Sequence, residues 1–310
     1  MAITYIANKD IDITKWDTCL SRSFNKVIYA QRFYLDQMAS NWDALVLNDY
    51  EAIMPLPWRK KWGFRYLYQP AFTQQGGVFS MCPLGVQTLS EFMTEARAKF
   101  KFAEFTGNSG VLFPPSDNYT LVSRLNLTLK LSDSHPEHIL RYDSITKKNL
   151  KRASNTDLKY LPSADYIGII EFYRQQYETR LPDFDAGDYK KFEKICDKLF
   201  SEKNLICRTV VQQSGNVVAG VVLLKDHHRL YNLISAVNAE GRKTQANYLL
   251  YDKMIEEFCG QSLILDFEGS DIPGIAEFYK RFNPEAESYQ FVRFNNLPGP
   301  LKFFKKRASL

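Results

Sequence analysis

Apolar residues run from Val217 to Leu224, pause over Lys225 to His228, and resume from Leu230 to Ala236. That pattern predicts a strand, a tight turn and a second strand. The polar stretch Asn238-Ala-Glu-Gly-Arg-Lys-Thr-Gln245 then reads as a loop entering a helix over Ala246 to Phe258. A third strand, Leu263 to Phe267, opens through Glu268-Gly-Ser270 into a short helix over Ile272 to Phe282. A strand, a polar loop and a helix mouth in that order make an anion site. The first amides of a helix lack intrahelical acceptors, and the macrodipole adds about half a positive charge there. Arg242 and Lys243 add two more charges at that mouth, and Thr244 is the expected N-cap.

The same succession occurs once before. Ile3 to Ile6 reads as a strand, Ile13 to Ser23 and Ala30 to Ala39 as helices, and Trp42 to Leu47, Glu51 to Pro57 and Phe64 to Tyr68 as strands. A helix over Leu84 to Phe100 and a strand over Lys101 to Thr106 follow. In the second half, a strand at Leu158 to Leu161, helices over Asp165 to Thr179 and Asp188 to Ser201, and a strand at Leu205 to Val211 lead into the segment already described. The separation of Leu84 from Ala246 equals that of Lys101 from Leu263 and of Gly107 from Gly269. Glu104-Phe-Thr-Gly107 therefore lies on Asp266-Phe-Glu-Gly269. A repeat this long means two copies of one fold rather than a solenoid. The expected domains are 1–132 and 133–310. Tyr119 to Leu131 is strand-like, and residues 136–155 form a helix that opens the second domain with Lys147, Lys148, Lys151 and Arg152 near its end.

Composition narrows the class. A chain of 310 residues exceeds what one core usually serves, and 45% hydrophobic with 24% charged residues is ordinary for a globular protein. The formal charge of +5 permits an anionic partner without demanding one. No apolar run reaches the roughly 18 residues of a membrane span. Lys9, Asp10, Asp12 and Lys15 argue against a signal peptide, which places the protein in the cytoplasm. The five cysteines include no C-x-x-C and are odd in number, which predicts free thiols. Phosphate-loop, dinucleotide and nucleophile-elbow motifs are absent. His135-Pro-Glu-His138 lacks the i, i+4 pair of a zinc helix, so no metal is expected.

The order strand, helix, helix, three-strand meander, helix, strand resembles the GCN5-related N-acetyltransferase (GNAT) fold. Two tandem copies joined by a basic helix resemble the Fem-type aminoacyl and peptidyl transferases, a bacterial-type family that builds peptidoglycan cross-bridges. The closest likeness lies in Ile145 to Ala153 and in Leu265-Asp-Phe-Glu-Gly-Ser-Asp-Ile-Pro-Gly-Ile-Ala-Glu-Phe-Tyr-Lys-Arg-Phe282. The resemblance implies an α/β (α+β) chain of two GNAT-like domains, each a mixed, mostly antiparallel sheet flanked by helices. It also implies that Tyr279 serves as general acid. Arg242-Lys-Thr-Gln-Ala-Asn247 keeps the arginine of the coenzyme A loop, but Gln245 and Asn247 stand where small residues let backbone approach phosphate. A Fem-type protein, charged by aminoacyl-tRNA, does not need that loop.

The expected function is transfer of an acyl or aminoacyl group from acyl-CoA or aminoacyl-tRNA to a primary amine on an amino acid, peptide or peptidoglycan precursor. No cofactor is held permanently. Asp266 or Glu268, at a strand end, is the candidate base if burial raises its pKa, or else a helix cap. Arg242, Lys243, Thr244, Gln245 and Asn238 are the candidate donor or phosphate contacts, and amides near Ala236 to Asn238 the oxyanion donors. Lys148, Lys151, Arg152, Arg180 and Lys280 are assigned to the acceptor or to tRNA, with the acceptor between the two copies. The aromatic-basic run Trp58 to Arg65 reads as a hairpin end or a base-stacking strip, and Lys302 to Arg307 as a basic tail. The alternative is a non-catalytic binding protein that keeps the fold.

Overall fold

The structure, a computed structural model, describes residues 2–61, 63–177, 184–268 and 273–299. Its first elements are β1 (Ile3–Ile6), α1 (Ile13–Arg22), α2 (Arg32–Met38), β2 (Trp42–Leu47), β3 (Ala52–Lys61), β4 (Phe64–Leu67), β5 (Phe79–Ser80), α3 (Val86–Lys99) and β6 (Phe102–Thr106). The chain continues through β7 (Thr120–Lys130), α4 (His135–Arg141), α5 (Ser144–Ala153), β8 (Lys159–Pro162), α6 (Tyr166–Tyr177) and α7 (Ala186–Ser201). It ends with β9 (Leu205–Val211), β10 (Val217–Lys225), β11 (Arg229–Val237), α8 (Ala239–Lys243), α9 (Ala246–Phe258), β12 (Ile264–Asp266), α10 (Pro273–Lys280) and β13 (Glu285–Asn295).

Two compact units result, residues 1–124 with 288–310, and residues 125–287, in place of the expected division at 132/133. The sheet of the first unit runs β1-β2-β3-β4-β6-β13, with β5 on β3, and that of the second runs β8-β9-β10-β11-β12-β7. In each, the fourth and fifth strands are parallel and the other neighbouring pairs are antiparallel. Strand order and direction thus repeat, as the equal spacing along the chain predicts. Each sheet's sixth strand comes from outside the repeated run. The boundary falls elsewhere than expected because β13 completes the first sheet through its pairing with β6.

In the second unit α9 buries Ala246, Leu250, Tyr251, Met254, Ile255 and Phe258, one helical face in the core that also holds Val218, Val221 and Leu223 of β10. Each such large side chain contributes about 1.5–3 kcal/mol, against at most about 0.7 kcal/mol per residue between ordinary helix propensities. Packing therefore holds α9 more than its sequence preference does.

The helix expected over 136–155 is broken in two. The Asp143 carboxylate accepts from the Thr146 amide at 2.6 Å and meets Arg281 at 3.2 Å, which starts α5 afresh after α4. The expected loop after β11 also holds a helix of its own, α8, capped by Asn238 Oδ1 accepting from the Gly241 amide at 2.8 Å. In the first unit, Trp58 to Lys61 pair with Phe64 to Leu67, so the run called basic and aromatic is a hairpin, with Arg65 5.0 Å over the Trp58 ring. The five cysteines are free.

Candidate active site

β11 and β12 pair in parallel over Arg229–Tyr231 and Ile264–Asp266, and there β12 stops. From Asn232 onward β11 has lost its neighbour on that side among the described residues. Beside this free edge lies a cavity of about 840 Å³. Its walls are Ser235, Ala236 and Val237 of β11; Gly241, Arg242, Gln245, Asn247 and Tyr248 around the start of α9; Tyr173 and Tyr177 of α6; and Gly274, Ile275, Phe278 and Tyr279 of α10. A pocket in the first unit, lined in part by Gln75, Gly76 and Gly77, measures about 20 Å³, room for one water at most. Of these two, only the pocket of the second copy has the volume of a substrate site.

Strand geometry points the edge amides at the cavity. The Asn238 amide donates to Val218 O at 3.1 Å, and Val237 faces Ala219, Ala236 faces Gly220 and Ser235 faces Val221. Antiparallel strands alternate their bonding sides, so the Ala236 amide faces β10 while those of Ser235 and Val237 face away from it. Asn238, expected as an oxyanion donor and donor contact, is instead committed to the sheet and to the cap of α8.

The mouth of α9 differs from expectation in one respect that matters. Gln245, not Thr244, holds the N-cap, in left-handed backbone with φ 63°. Thr244 Oγ1 donates to Glu240 O at 2.9 Å and closes α8. The Gln245 side chain folds back, its Nε2 donating to Arg242 O at 3.0 Å and Lys243 O at 3.4 Å. A long side chain at a position that suits glycine thus satisfies carbonyls at the end of α8. The first intrahelical bonds come from Tyr248 and Leu249, which leaves the Ala246 and Asn247 amides outside that pattern. Asn247 Oδ1 is a buried atom with no partner.

Among the described residues that line the cavity Arg242 is the single charged one, and its Nη1 donates to Val237 O at 2.6 Å, which ties it to the strand edge. Lys243 is largely exposed, 3.4 Å from Glu240, and does not line the cavity. Gly241 is dictated by space: a Cβ there would sit 2.3 Å from Val218 O and 2.8 Å from Val237 Cγ2. The obstacle is backbone of a central strand, so Gly241→Ala should cost about 1–3 kcal/mol of stability. It should also weaken donor binding through the displaced Arg242; calorimetric unfolding alongside donor titration checks both effects.

Tyr279 meets the cavity from α10 and is otherwise buried, its ring stacked on Phe267 at 4.6 Å and edge-on to Tyr251 at 5.4 Å. Asn232 Nδ2 donates to its hydroxyl at 3.0 Å. Burial, followed by the neighbouring Tyr251, raises the phenol well above its ordinary value, so it stays protonated.

The two carboxylates lie elsewhere. Asp266 is fully buried, 2.5 Å from Arg229 Nη1, and accepts from the Glu268 amide at 3.1 Å. Burial raises its carboxyl while Arg229 opposes the rise. Glu268 is buried with φ 52°. Neither residue lines the cavity. Asp266 is held in a buried ion pair with Arg229, off the lining of the cavity. Lys148, Lys151 and Arg152 stand exposed on α5, Lys280 pairs with Glu277 at 2.8 Å, and none of the four lines the cavity. Arg180 and the tail Lys302 to Arg307 lie outside the described residues.

Sequence reasoning missed Ser235, Asn232, Tyr251 and the aromatic wall of Tyr248 and Phe278. Asn232 and Ser235 had a signal, as the polar interruptions in an apolar strand. Tyr173 and Tyr177, an i, i+4 pair, were legible only as a helix face. Among the described residues no group of three His, Cys, Asp or Glu is placed to hold a metal, and no helix is long and apolar enough to cross a membrane.

Residues 146–281 match the acetyltransferase (GNAT) domain family. The chain is similar to the crystal structure of FemX, with TM-score 0.63 and 12% identity over 99% of this chain and 100% of that one. It is similar to the C-terminal domain of a putative lysylphosphatidylglycerol synthetase from Agrobacterium fabrum, with TM-score 0.53 and 10% identity over 94% of each chain. A tandem GNAT protein from the clavulanic acid biosynthesis pathway gives TM-score 0.52 and 10% identity over 96% of this chain and 100% of that one. No curated protein matches the chain. Residues 146–281 of the second unit therefore carry an acetyltransferase (GNAT) domain, and the chain as a whole has the Fem-type tandem GNAT fold.

Proposed function

We propose that the protein transfers an acyl or aminoacyl group from a thioester or ester donor to a primary amine. The observation that carries this reading is the cavity beside the splayed β11 edge, with Arg242 at one wall and the Tyr279 phenol at another. A donor laid along the edge would place its carbonyl oxygen toward the Ser235 and Val237 amides, which stabilise the oxyanion formed on attack. Arg242 and the free amides of α9 would take the donor's phosphates. Tyr279 would donate to the leaving sulfur or oxygen. Holding amine and donor in one chamber supplies orientation, worth several kcal/mol of barrier. The acceptor we assign is the amine of an amino acid, peptide or peptidoglycan precursor.

Two donors fit: acyl-CoA, and aminoacyl-tRNA, for which Lys148, Lys151 and Arg152 on α5 would meet phosphates. Thermal-shift titration with acetyl-CoA, longer acyl-CoAs and alanyl-tRNA separates them. Stabilisation by charged tRNA that fades with salt marks the second. A shift with neither donor would overturn the transferase reading in favour of a binding protein that keeps the fold. Arg242→Ala should raise the donor KM by about tenfold to a hundredfold, the range for a lost hydrogen bond to a charged group. An unchanged KM would remove Arg242 from the donor site.

A further inference from the structure

α5 turns one face to the core and a very different one to solvent. Thr146, Asn149 and Ala153 are buried and Leu150 packs against the core, a stripe at helical spacing that holds the helix to the second unit. Ile145, Lys147, Lys148, Lys151 and Arg152 are exposed. A helix face that needs only solvation commonly alternates both signs of charge. This helix carries four cations and no acidic residue.

Aliphatic side chains stand exposed beside those cations. Leu140, near the end of α4, is 76% exposed, Ile145 45% and Ile139 37%. Lys147 Nζ donates to Leu140 O at 2.9 Å, which holds the end of α4 against the start of α5. Single exposed aliphatics are ordinary, but three at one helix corner, rimmed by charge, mark a surface that meets a partner. The acidic residues around the corner are engaged within the protein. Asp133 pairs with Arg141, Asp143 with Arg281, and Glu137 accepts from the amide and hydroxyl of Ser134.

The partner has to suit both kinds of side chain. RNA phosphates would meet the cations and leave the aliphatics in water. An apolar protein groove would cover the aliphatics and strip water from four charges, at a cost. The surface of an anionic bilayer suits both, because phosphates lie directly over the acyl boundary. Aliphatic tips enter that boundary while the long basic side chains reach back to the headgroups.

We propose that the corner of α4 and α5 docks the protein on an anionic lipid surface. Ile139, Leu140 and Ile145 enter the acyl boundary, and Lys147, Lys148, Lys151 and Arg152 lie on headgroup phosphates. The contact is peripheral, since the 10 residues of α5 fall well short of the roughly 20 that a spanning helix takes. Docking goes beyond the transfer reaction and does not depend on it. Lys148, Lys151 and Arg152 are also the cations a tRNA donor would meet, so the test has to separate lipid from RNA.

The test is co-sedimentation of the full chain with vesicles of phosphatidylcholine alone and of phosphatidylcholine mixed with phosphatidylglycerol. Wild type should bind the mixed vesicles at least about a hundredfold more tightly than the neutral ones, since each cation near the surface contributes about fivefold. Added salt should weaken that binding. Lys148→Gln with Lys151→Gln should weaken it about 25-fold. Leu140→Ser with Ile145→Ser should weaken it about tenfold or more. This second pair should keep the unfolding temperature of wild type, because both side chains are exposed. Equal binding to both kinds of vesicle, or binding of tRNA with none to vesicles, would overturn the proposal. A serine pair that binds mixed vesicles as tightly as wild type would overturn it too, leaving the cations as a site for any polyanion. Vesicle binding that survives both pairs of substitutions would belong to another surface and would likewise rule out this corner.

Discussion

Asp266→Asn is expected to cost the protein about 3 kcal/mol or more of folding stability, from the lower part of the range for breaking a buried ion pair. Asparagine keeps the size of the side chain and an oxygen for the Glu268 amide, but it leaves the Arg229 guanidinium, itself largely buried, without its 2.5 Å partner. The lower end of the range applies because Glu287 stands 4.0 Å from the same guanidinium and takes up part of the charge. Replacing both partners, Asp266→Leu with Arg229→Met, should bring stability back to within about 1 kcal/mol of wild type, since the pair's desolvation then disappears with its attraction. Urea unfolding of the single and double variants measures both values. A single variant that unfolds like wild type but loses turnover would instead restore Asp266 to the role of base.

Tyr279→Phe should leave the fold intact and lower kcat by about a hundredfold to a thousandfold, the loss seen when one preorganised donor is taken from a reacting oxygen. The ring keeps its stack on Phe267, so KM should change little. The pH dependence has a defined sign. As a donor to the leaving group Tyr279 would work protonated, and burial has raised its phenol well above the ordinary value, so it keeps its proton across the alkaline range. The rate should therefore show no fall from Tyr279 as pH approaches the ordinary tyrosine pKa of about 10. A phenylalanine variant with unchanged kcat, or an alkaline limb that vanishes in that variant, would remove Tyr279 from its place at the leaving group.

The repeat was legible along the chain because duplication preserves spacing. The separations of Leu84 from Ala246 and of Lys101 from Leu263 reappear as α3 and β6 against α9 and β12. Arg242 was legible too, since a cation beside a helix mouth has a local reason to be there, and it does line the cavity. The ion pair at Asp266 was not legible. Alternation along a strand tells which residues share a face, but not that an arginine on the parallel neighbour will claim the carboxylate. At Gln245 the sequence showed a side chain where glycine was wanted, and only the structure, with the backbone at φ 63° and the amide folded onto two carbonyls, shows where that side chain goes.

By itself the sequence determined the class of fold, the duplicated order of elements and the polar helix mouth of the second copy, because hydrophobic period and turn residues are local properties of a chain. The tertiary structure alone decided which polar residues meet. Ser235 on β11, Tyr251 on α9 and Tyr279 on α10 have no shared spacing, and they converge because β12 ends at Asp266 and lets two helices close over the strand edge. Hydrogen-bonded contact between distant segments follows from packing, and packing is a property of the whole core rather than of any one stretch.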